Sequence, residues 1–101
     1  MSFIVKLHKS PEGKTMLAVC DTEIAGKYFE EGDLQLDLSS NFYKGKEMAE
    51  PRIKELFKVV NIINLAGEKA VQLGMHEGII EPDHIKTIAG IPHAQCVKMV
   101  G

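Results

Sequence analysis

The chain has 101 residues, of which 45% are hydrophobic and 26% are charged, a composition typical of a folded domain rather than a disordered or fibrous protein. Its net charge of −2 and its single arginine, Arg52, offer no overall electrostatic attraction to nucleic acid. No apolar run approaches the ~20 residues that a membrane-spanning helix needs, and the segment Met1–Lys9 is too short for a signal peptide. We therefore expect a cytoplasmic protein, with no membrane partner, that forms a single domain over residues 1–101.

The N-terminal part of the chain carries the patterns of three β-strands. Phe3–His8 alternates and Thr15–Cys20 is nearly all apolar, and the turn sequence Ser10–Gly13 between them predicts a hairpin whose second strand is central. Asp21 is expected to cap the short turn that follows it. Asp33–Leu38 alternates most regularly and is predicted to be a strand. The residues expected to face the core on that strand are Leu34, Leu36 and Leu38.

The longest helical pattern begins at Pro51, because a proline at the first helical position costs no hydrogen bond. It ends at Gly78, because helices commonly end at a glycine in the left-handed conformation. An unbroken helix of this length would measure about 40 Å, which exceeds the ~26 Å diameter of a domain of this size. A kink or break around Asn61 is therefore expected. At 100° per residue the polar side chains form one stripe. Its members are Asn61, Asn64, Glu68 and Gln72.

The C-terminal part predicts a turn at Pro82–His84, a short strand at Ile85–Ile88, a bend at Gly90–Pro92 and a last strand at His93–Val100. Strands, then a helix, then strands again indicate an α+β protein. The expected architecture is a two-layer sandwich, with a mostly antiparallel sheet and the long, broken helix packed on one of its faces.

Two groups of polar residues are candidate ligand-binding sites. Asn64 and Glu68 lie on the helical stripe, where asparagine is a poor helix former, and a plain solvated helix face is the alternative explanation. His93 and Gln95 point to the same side of the last strand, and a structural turn is the alternative there. The two groups gain meaning only if they converge in space.

Other kinds of site have weaker support. No CxxC or HxxxH spacing is present, so neither a metal nor a cofactor is expected. Cys20 and Cys96 lie in apolar runs, which is typical of buried free thiols, although a disulfide between strands remains open. Neither cysteine has a base beside it in sequence that would make it a nucleophile.

Three stretches of the chain resemble an archaeal family catalogued as domain of unknown function 424. They are Phe29–Asp37 (FEEGDLQLD), Asn64–Glu68 (NLAGE) and Ile91–Gln95 (IPHAQ). The resemblance implies an archaeal cytoplasmic protein with a two-layer α/β sandwich, and it brings no activity and no catalytic residue. In the family a Gly-Gly pair precedes the last stretch, whereas this chain has Ala89 and then Gly90, so only Gly90 is expected to supply unusual backbone geometry.

Three functional hypotheses follow. The leading one is a non-enzymatic binding module for RNA or for a translation-related protein complex, a partner suggested only by analogy with other small archaeal proteins. The second is a small-molecule enzyme in which His93 and Glu68 form an acid–base pair while Asn64 and Gln95 orient the substrate. The third is a structural protein that forms a homodimer by adding strands at the edge of Leu34–Leu38.

Overall fold

Within residues 2–98, which are the residues that the computed structural model describes, the chain forms eight β-strands and two α-helices. No helix in this range is long and apolar enough to cross a membrane. The strands are β1 (Ser2–Lys9), β2 (Thr15–Asp21), β3 (Tyr28–Glu31), β4 (Leu34–Asp37), β5 (Lys46–Ala49), β6 (Ile62–Ala66), β7 (Lys86–Ile88) and β8 (Ile91–Val97). The helices are α1 (Glu50–Val59) and α2 (Glu68–His76).

Six strands form one sheet in the order β5-β1-β2-β6-β8-β7, and β3 pairs with β4 in a separate two-stranded sheet. Only the β2–β6 pair is parallel within the described sheets, and the other pairs are antiparallel. The prediction of a mixed fold with a mostly antiparallel sheet is confirmed. The predicted hairpin of β1 and β2 is also present, and β2 is central as expected because β1 and β6 flank it.

The helical pattern from Pro51 to Gly78, for which a kink or break around Asn61 was predicted, is divided into two separate helices. The chain leaves α1 at Val59, forms strand β6, and enters α2 at Glu68, so the expected break is a whole strand in the middle of the sheet. β6 pairs with β2 on one side and β8 on the other, which satisfies its backbone on both edges. Its isoleucines also favour a strand because β-branched side chains pack well on a pleated surface.

The strands present their side chains alternately to two faces of the six-stranded sheet. The first face carries Phe3, Val5, Leu17, Val19, Ile63 and Leu65, all buried. These residues belong to one hydrophobic cluster together with Ile53, Leu56 and Phe57 of α1 and Ala70, Val71 and Leu73 of α2.

The second face of the sheet is only partly covered. A smaller cluster there joins Cys20 and Ala66 of the sheet to Leu36 and Leu38, which are 7% and 2% exposed. Leu34, which was also predicted to face the core, is 54% exposed because it lies at the start of β4, beside the turn. Hairpin β3–β4 therefore covers one end of the second face and leaves the rest accessible.

A buried carboxylate holds the start of α2. Asp21, at the end of β2, is 6% exposed, and its Oδ2 and Oδ1 accept hydrogen bonds from the backbone amides of Lys69 (2.9 Å) and Ala70 (2.7 Å). The expected cap of the following turn is not formed, since no side-chain hydrogen bond of Asp21 reaches residues 22–24. Burial raises the pKa of Asp21, while the two amide hydrogen bonds act in the opposite direction.

The turn between β7 and β8 consists of Ala89 and Gly90, with φ angles of 52° and 80°. The expectation that only Gly90 supplies unusual geometry is wrong, because Ala89 also lies in the left-handed region that a two-residue hairpin turn requires. The amide of Ala89 donates a hydrogen bond of 2.8 Å to Glu31 Oε1, which ties this turn to hairpin β3–β4. β8 itself starts at Ile91, and the part of the predicted strand that covers positions 99 and 100 lies outside the described residues.

Replacing Ala89 with glycine is expected to stabilise the protein by about 0.5–1 kcal/mol, because relief of the left-handed strain of alanine exceeds the entropy cost of glycine. Thermal unfolding measures this as an increase in Tm of several degrees. Ala25→Gly is the control, since Ala25 has a φ of −57° and gains nothing from glycine. A lower Tm for Ala89→Gly would contradict the strain.

Candidate functional site

Strand register brings three of the four predicted site residues together on the second face. Asn64 of β6 lies directly opposite Gln95 of β8, and His93 lies opposite Ala66, the next second-face position of β6. Gln95 and His93 are two residues apart on one strand, so their side chains leave the same face. Asn64, from the first candidate group, therefore lies beside His93 and Gln95, which form the second.

These side chains form the floor of a cavity of about 590 Å³. The aromatic ring of Tyr43 and the side chains of Lys86, Asp83 and His84 contribute to its walls. Asp83 and His84 belong to the single turn of 3₁₀ helix, Pro82–His84, that precedes β7. The cavity therefore combines amides, imidazoles, one ammonium and one carboxylate around a floor of central strands.

Partial burial lowers the pKa of His93, and the positive charge of Lys86, opposite it on β7, lowers that pKa further. The imidazole is consequently neutral at pH 7, with one nitrogen able to donate and the other able to accept. Burial raises the pKa of Tyr43 to about 12, so its hydroxyl remains protonated. The cavity thus combines these neutral donors and acceptors with the ammonium of Lys86 and the carboxylate of Asp83.

The floor of the cavity is open to hydrogen bonding from outside. No buried side-chain nitrogen or oxygen in residues 2–98 lacks a partner, and the side-chain hydrogen bonds of that range leave out Asn64 and His93, which are both half-buried. Their polar atoms must therefore reach solvent. Gln95 is exposed. An asparagine amide on a central strand, with no hydrogen-bond partner among residues 2–98, is available to a ligand.

Glu68, the fourth predicted residue, is placed elsewhere. It is the first residue of α2, exposed, and absent from the lining of the cavity. The helical projection put it beside Asn64 because three to four residues separate helix neighbours, whereas a strand and a turn at Gly67 separate the two. Asn61, on the same projected stripe, is structural: its Oδ1 accepts a hydrogen bond of 2.9 Å from the amide of Thr15.

Six of the residues that line the cavity were not predicted to lie there: Tyr43, Leu65, Asp83, His84, Lys86 and Ala94. A signal for Lys86 was available, since a two-residue turn at 89–90 pairs position 86 with position 93. Tyr43 and the 3₁₀ turn approach through long-range packing, for which the local sequence carries no signal.

Neither cysteine lines the second-face cavity. Both are free; Cys20 is buried in the second-face cluster, while Cys96 packs against the first-face cluster, so the two lie on opposite faces. Burial, with the nearby charge of Asp21, raises the pKa of Cys20 to about 12, which keeps it a thiol. Within the described part of the chain, no three histidine, cysteine or carboxylate side chains gather as metal ligands do.

Comparison with known proteins gives one family and one fold relative. A search of curated proteins finds no significant match. A crystal structure described as that of an uncharacterized conserved protein from Methanopyrus kandleri is similar, with a TM-score of 0.78 and 25% identity over 100% of this chain and 96% of that one. The sequence model of the family described as protein of unknown function DUF424 matches residues 8–99. The match covers most of the sequence, and the chain therefore belongs to the DUF424 family.

Proposed function

We propose that this protein is a non-enzymatic binding module whose second-face cavity recognises an unpaired base of single-stranded RNA. The observation that carries the proposal is the direct pairing of Asn64 and Gln95 on adjacent strands, with both amides facing the cavity. The module is a two-layer sandwich in this view, with α1 and α2 against the first face, since both helices share its hydrophobic cluster.

The amides suit a base edge chemically. Each amide offers two N–H donors and an accepting oxygen, and base edges present adjacent donors and acceptors that such side chains match in pairs. Neutral His93 adds a further donor or acceptor beside them. Sequence-specific proteins read RNA mainly on such exposed, unstacked edges. Recognition of a base in this way is binding alone, and it requires no catalytic group.

Local charge supports an RNA ligand although the whole chain carries −2. Asp83 and Lys86 line this cavity, and a second cavity beside it on the same face is lined by Glu12, Lys9 and Lys14, which gives two carboxylates against three lysines. The small excess of lysines favours a phosphate backbone near this face. Affinity is expected to be modest and to fall with salt.

The other hypotheses have less support. The acid–base pair of His93 and Glu68 needs both groups at one substrate, and Glu68 does not line the cavity. For strand addition along Leu34–Leu38, the side chains of Leu36 and Leu38 are already buried against the sheet and would add no apolar contact to a second copy. No observation favours a protein complex over RNA for the cavity itself.

Asn64→Ala and Gln95→Ala are each expected to weaken binding of single-stranded RNA decamers about ten-fold, because an amide–base pair contributes about 1–3 kcal/mol. Filter binding of A, C and U decamers at low salt measures the affinities, and raising the salt should weaken all of them. Gln35→Ala is the matched control, since Gln35 is exposed on β4, outside the cavity. DNA decamers run in parallel measure the contribution of the 2′-hydroxyl groups.

Retention that is absent, insensitive to salt, or equal for Asn64→Ala and Gln35→Ala would rule out the RNA proposal. Capture of a protein partner that depends on Asn64 and Gln95 would instead favour the protein-complex hypothesis. Circular dichroism of each variant confirms that the compared proteins are folded.

A further inference from the structure

A second cavity, of about 410 Å³, lies beside the first on the same face of the sheet. Its floor is apolar: Met16 of β2 and Ile62 of β6 are direct partners in the parallel pair, and both point to the second face. The rings of His8 and Phe42 contribute to the lining as well. This cavity therefore offers flat, apolar contact where the first offers hydrogen bonds.

The two rings are stacked and held in place. Their centroids are 4.8 Å apart with an interplanar angle of 11°. His8 Nε2 lies 2.9 Å from the carbonyl oxygen of Phe42, and since a carbonyl only accepts, Nε2 carries the proton and donates. The pair is thus preorganised, and ordering it on ligand binding costs little conformational entropy.

Two independent observations show that the two cavities are adjacent. Ile62 in the second cavity and Asn64 in the first are successive second-face residues of β6, about 7 Å apart at ~3.3 Å per residue. Phe42 and Tyr43 are consecutive, with ring centroids 5.1 Å apart in an edge-to-face contact, and Tyr43 lines the first cavity. A ligand that fills the first cavity therefore ends next to the second.

We propose that the second cavity is a stacking subsite for the base of a neighbouring nucleotide in the same RNA strand, an inference that rests on the proposed function of the first cavity. The ring of Phe42 or of His8 would stack on the base face, which every base presents, so this subsite tolerates any sequence. Lys9 and Lys14 at its rim stand near the linking phosphates, and Glu12 between them in sequence limits the charge excess. The first cavity would select a base and the second would add affinity.

Phe42→Leu is expected to weaken decamer binding about ten-fold, because loss of one base–aromatic stack has effects of that order, while Phe42→Tyr retains the stacking ring and stays within about two-fold. The mononucleotides AMP, CMP and UMP occupy only the first cavity, so Phe42→Leu should leave their binding unchanged. Methyl resonances of Met16 and Ile62 in the wild-type protein should shift with the decamer but not with the mononucleotides, a measurement that needs no variant.

The outcomes separate the two proposals. Unchanged decamer binding by Phe42→Leu, or methyl resonances of Met16 and Ile62 that stay in place, overturns the stacking subsite while sensitivity to Asn64→Ala keeps the first cavity. Absence of any RNA binding overturns both. Loss of binding in Phe42→Leu with Asn64→Ala and Gln95→Ala unaffected also overturns both, since the base-edge site is part of each. Binding of an apolar peptide, but not RNA, at Met16 and Ile62 would identify a protein-docking groove and overturn the subsite.

Discussion

Gly67→Ala is expected to lower the free energy of unfolding by about 4 kcal/mol, a large part of the 5–15 kcal/mol typical of a domain. Gly67 has φ 108° and ψ 156°, a region almost restricted to glycine, which costs other residues about 1–3 kcal/mol. An added Cβ would also lie 2.4 Å from Cγ of Asp21. Displacing this buried carboxylate, which accepts two hydrogen bonds, adds about 1–3 kcal/mol to the loss of stability, as overpacking of a core does. Urea unfolding measures the loss as a lower midpoint.

Gly13→Ala is the matched control for the backbone contribution. Gly13 has a φ of 88°, and an added Cβ there meets no atom within 4 Å, so only left-handed strain of about 1–2 kcal/mol remains. The difference between the two variants therefore contains the contact with Asp21 and the additional backbone strain at Gly67. If both variants lost the same stability, the carboxylate of Asp21 would not hinder a side chain at position 67, and the expected steric contribution would be wrong.

The stretch Asn64–Glu68, which carries part of the family resemblance, combines two unrelated requirements. Asn64 faces the cavity and makes no side-chain hydrogen bond within residues 2–98, whereas Gly67 makes the turn from β6 into α2 and leaves room for Asp21. Substitutions in this stretch therefore act in two ways. Asn64→Ala should affect binding with little loss of stability, while Gly67→Ala should do the reverse.

Local pattern was sufficient for elements whose periodicity is unambiguous. β1 and β4 follow alternation, β2 is a continuous apolar run typical of a central strand, and the two-residue turn at 89–90 sets the β7–β8 hairpin. The segment 59–66 fits a helical stripe and a strand equally well over a short span, and its real partners, β2 and β8, lie far away in sequence. The length of the helical pattern requires a break near Asn61, but it does not distinguish a kink from an intervening strand.

The types of residue in the sequence were enough to indicate part of the candidate site. Asparagine in a presumed helix and a histidine–glutamine pair on a strand indicated Asn64, His93 and Gln95 before their register was known. Glu68 was added only because a helix was assumed. The role of Asp21 at the start of α2 could not have been predicted, since its carboxylate accepts hydrogen bonds from the amides of Lys69 and Ala70, which are 48 and 49 residues away in sequence.

Asp21→Ala is expected to destabilise the protein by about 2–3 kcal/mol. The change removes both hydrogen bonds to the start of α2 and leaves the amide of Ala70, in a fully buried residue, without a partner. Loss of a cap costs about 0.5–2 kcal/mol, and an unpaired buried group about 1–3 kcal/mol. Asp33→Ala, at an exposed turn position, is the control and should change stability by less than about 0.5 kcal/mol.

The double variant Asp21→Ala/Gly67→Ala tests whether the two residues act as one unit. Once the carboxylate is absent, a methyl group at position 67 no longer meets Cγ of Asp21, so Gly67→Ala costs only its backbone strain. The double variant should therefore lose about 1–3 kcal/mol less than the sum of the single variants, as contacting residues do in a double-mutant cycle. Strictly additive losses would mean that Asp21 holds α2 independently of Gly67, and the close packing of carboxylate against glycine would then have no energetic role.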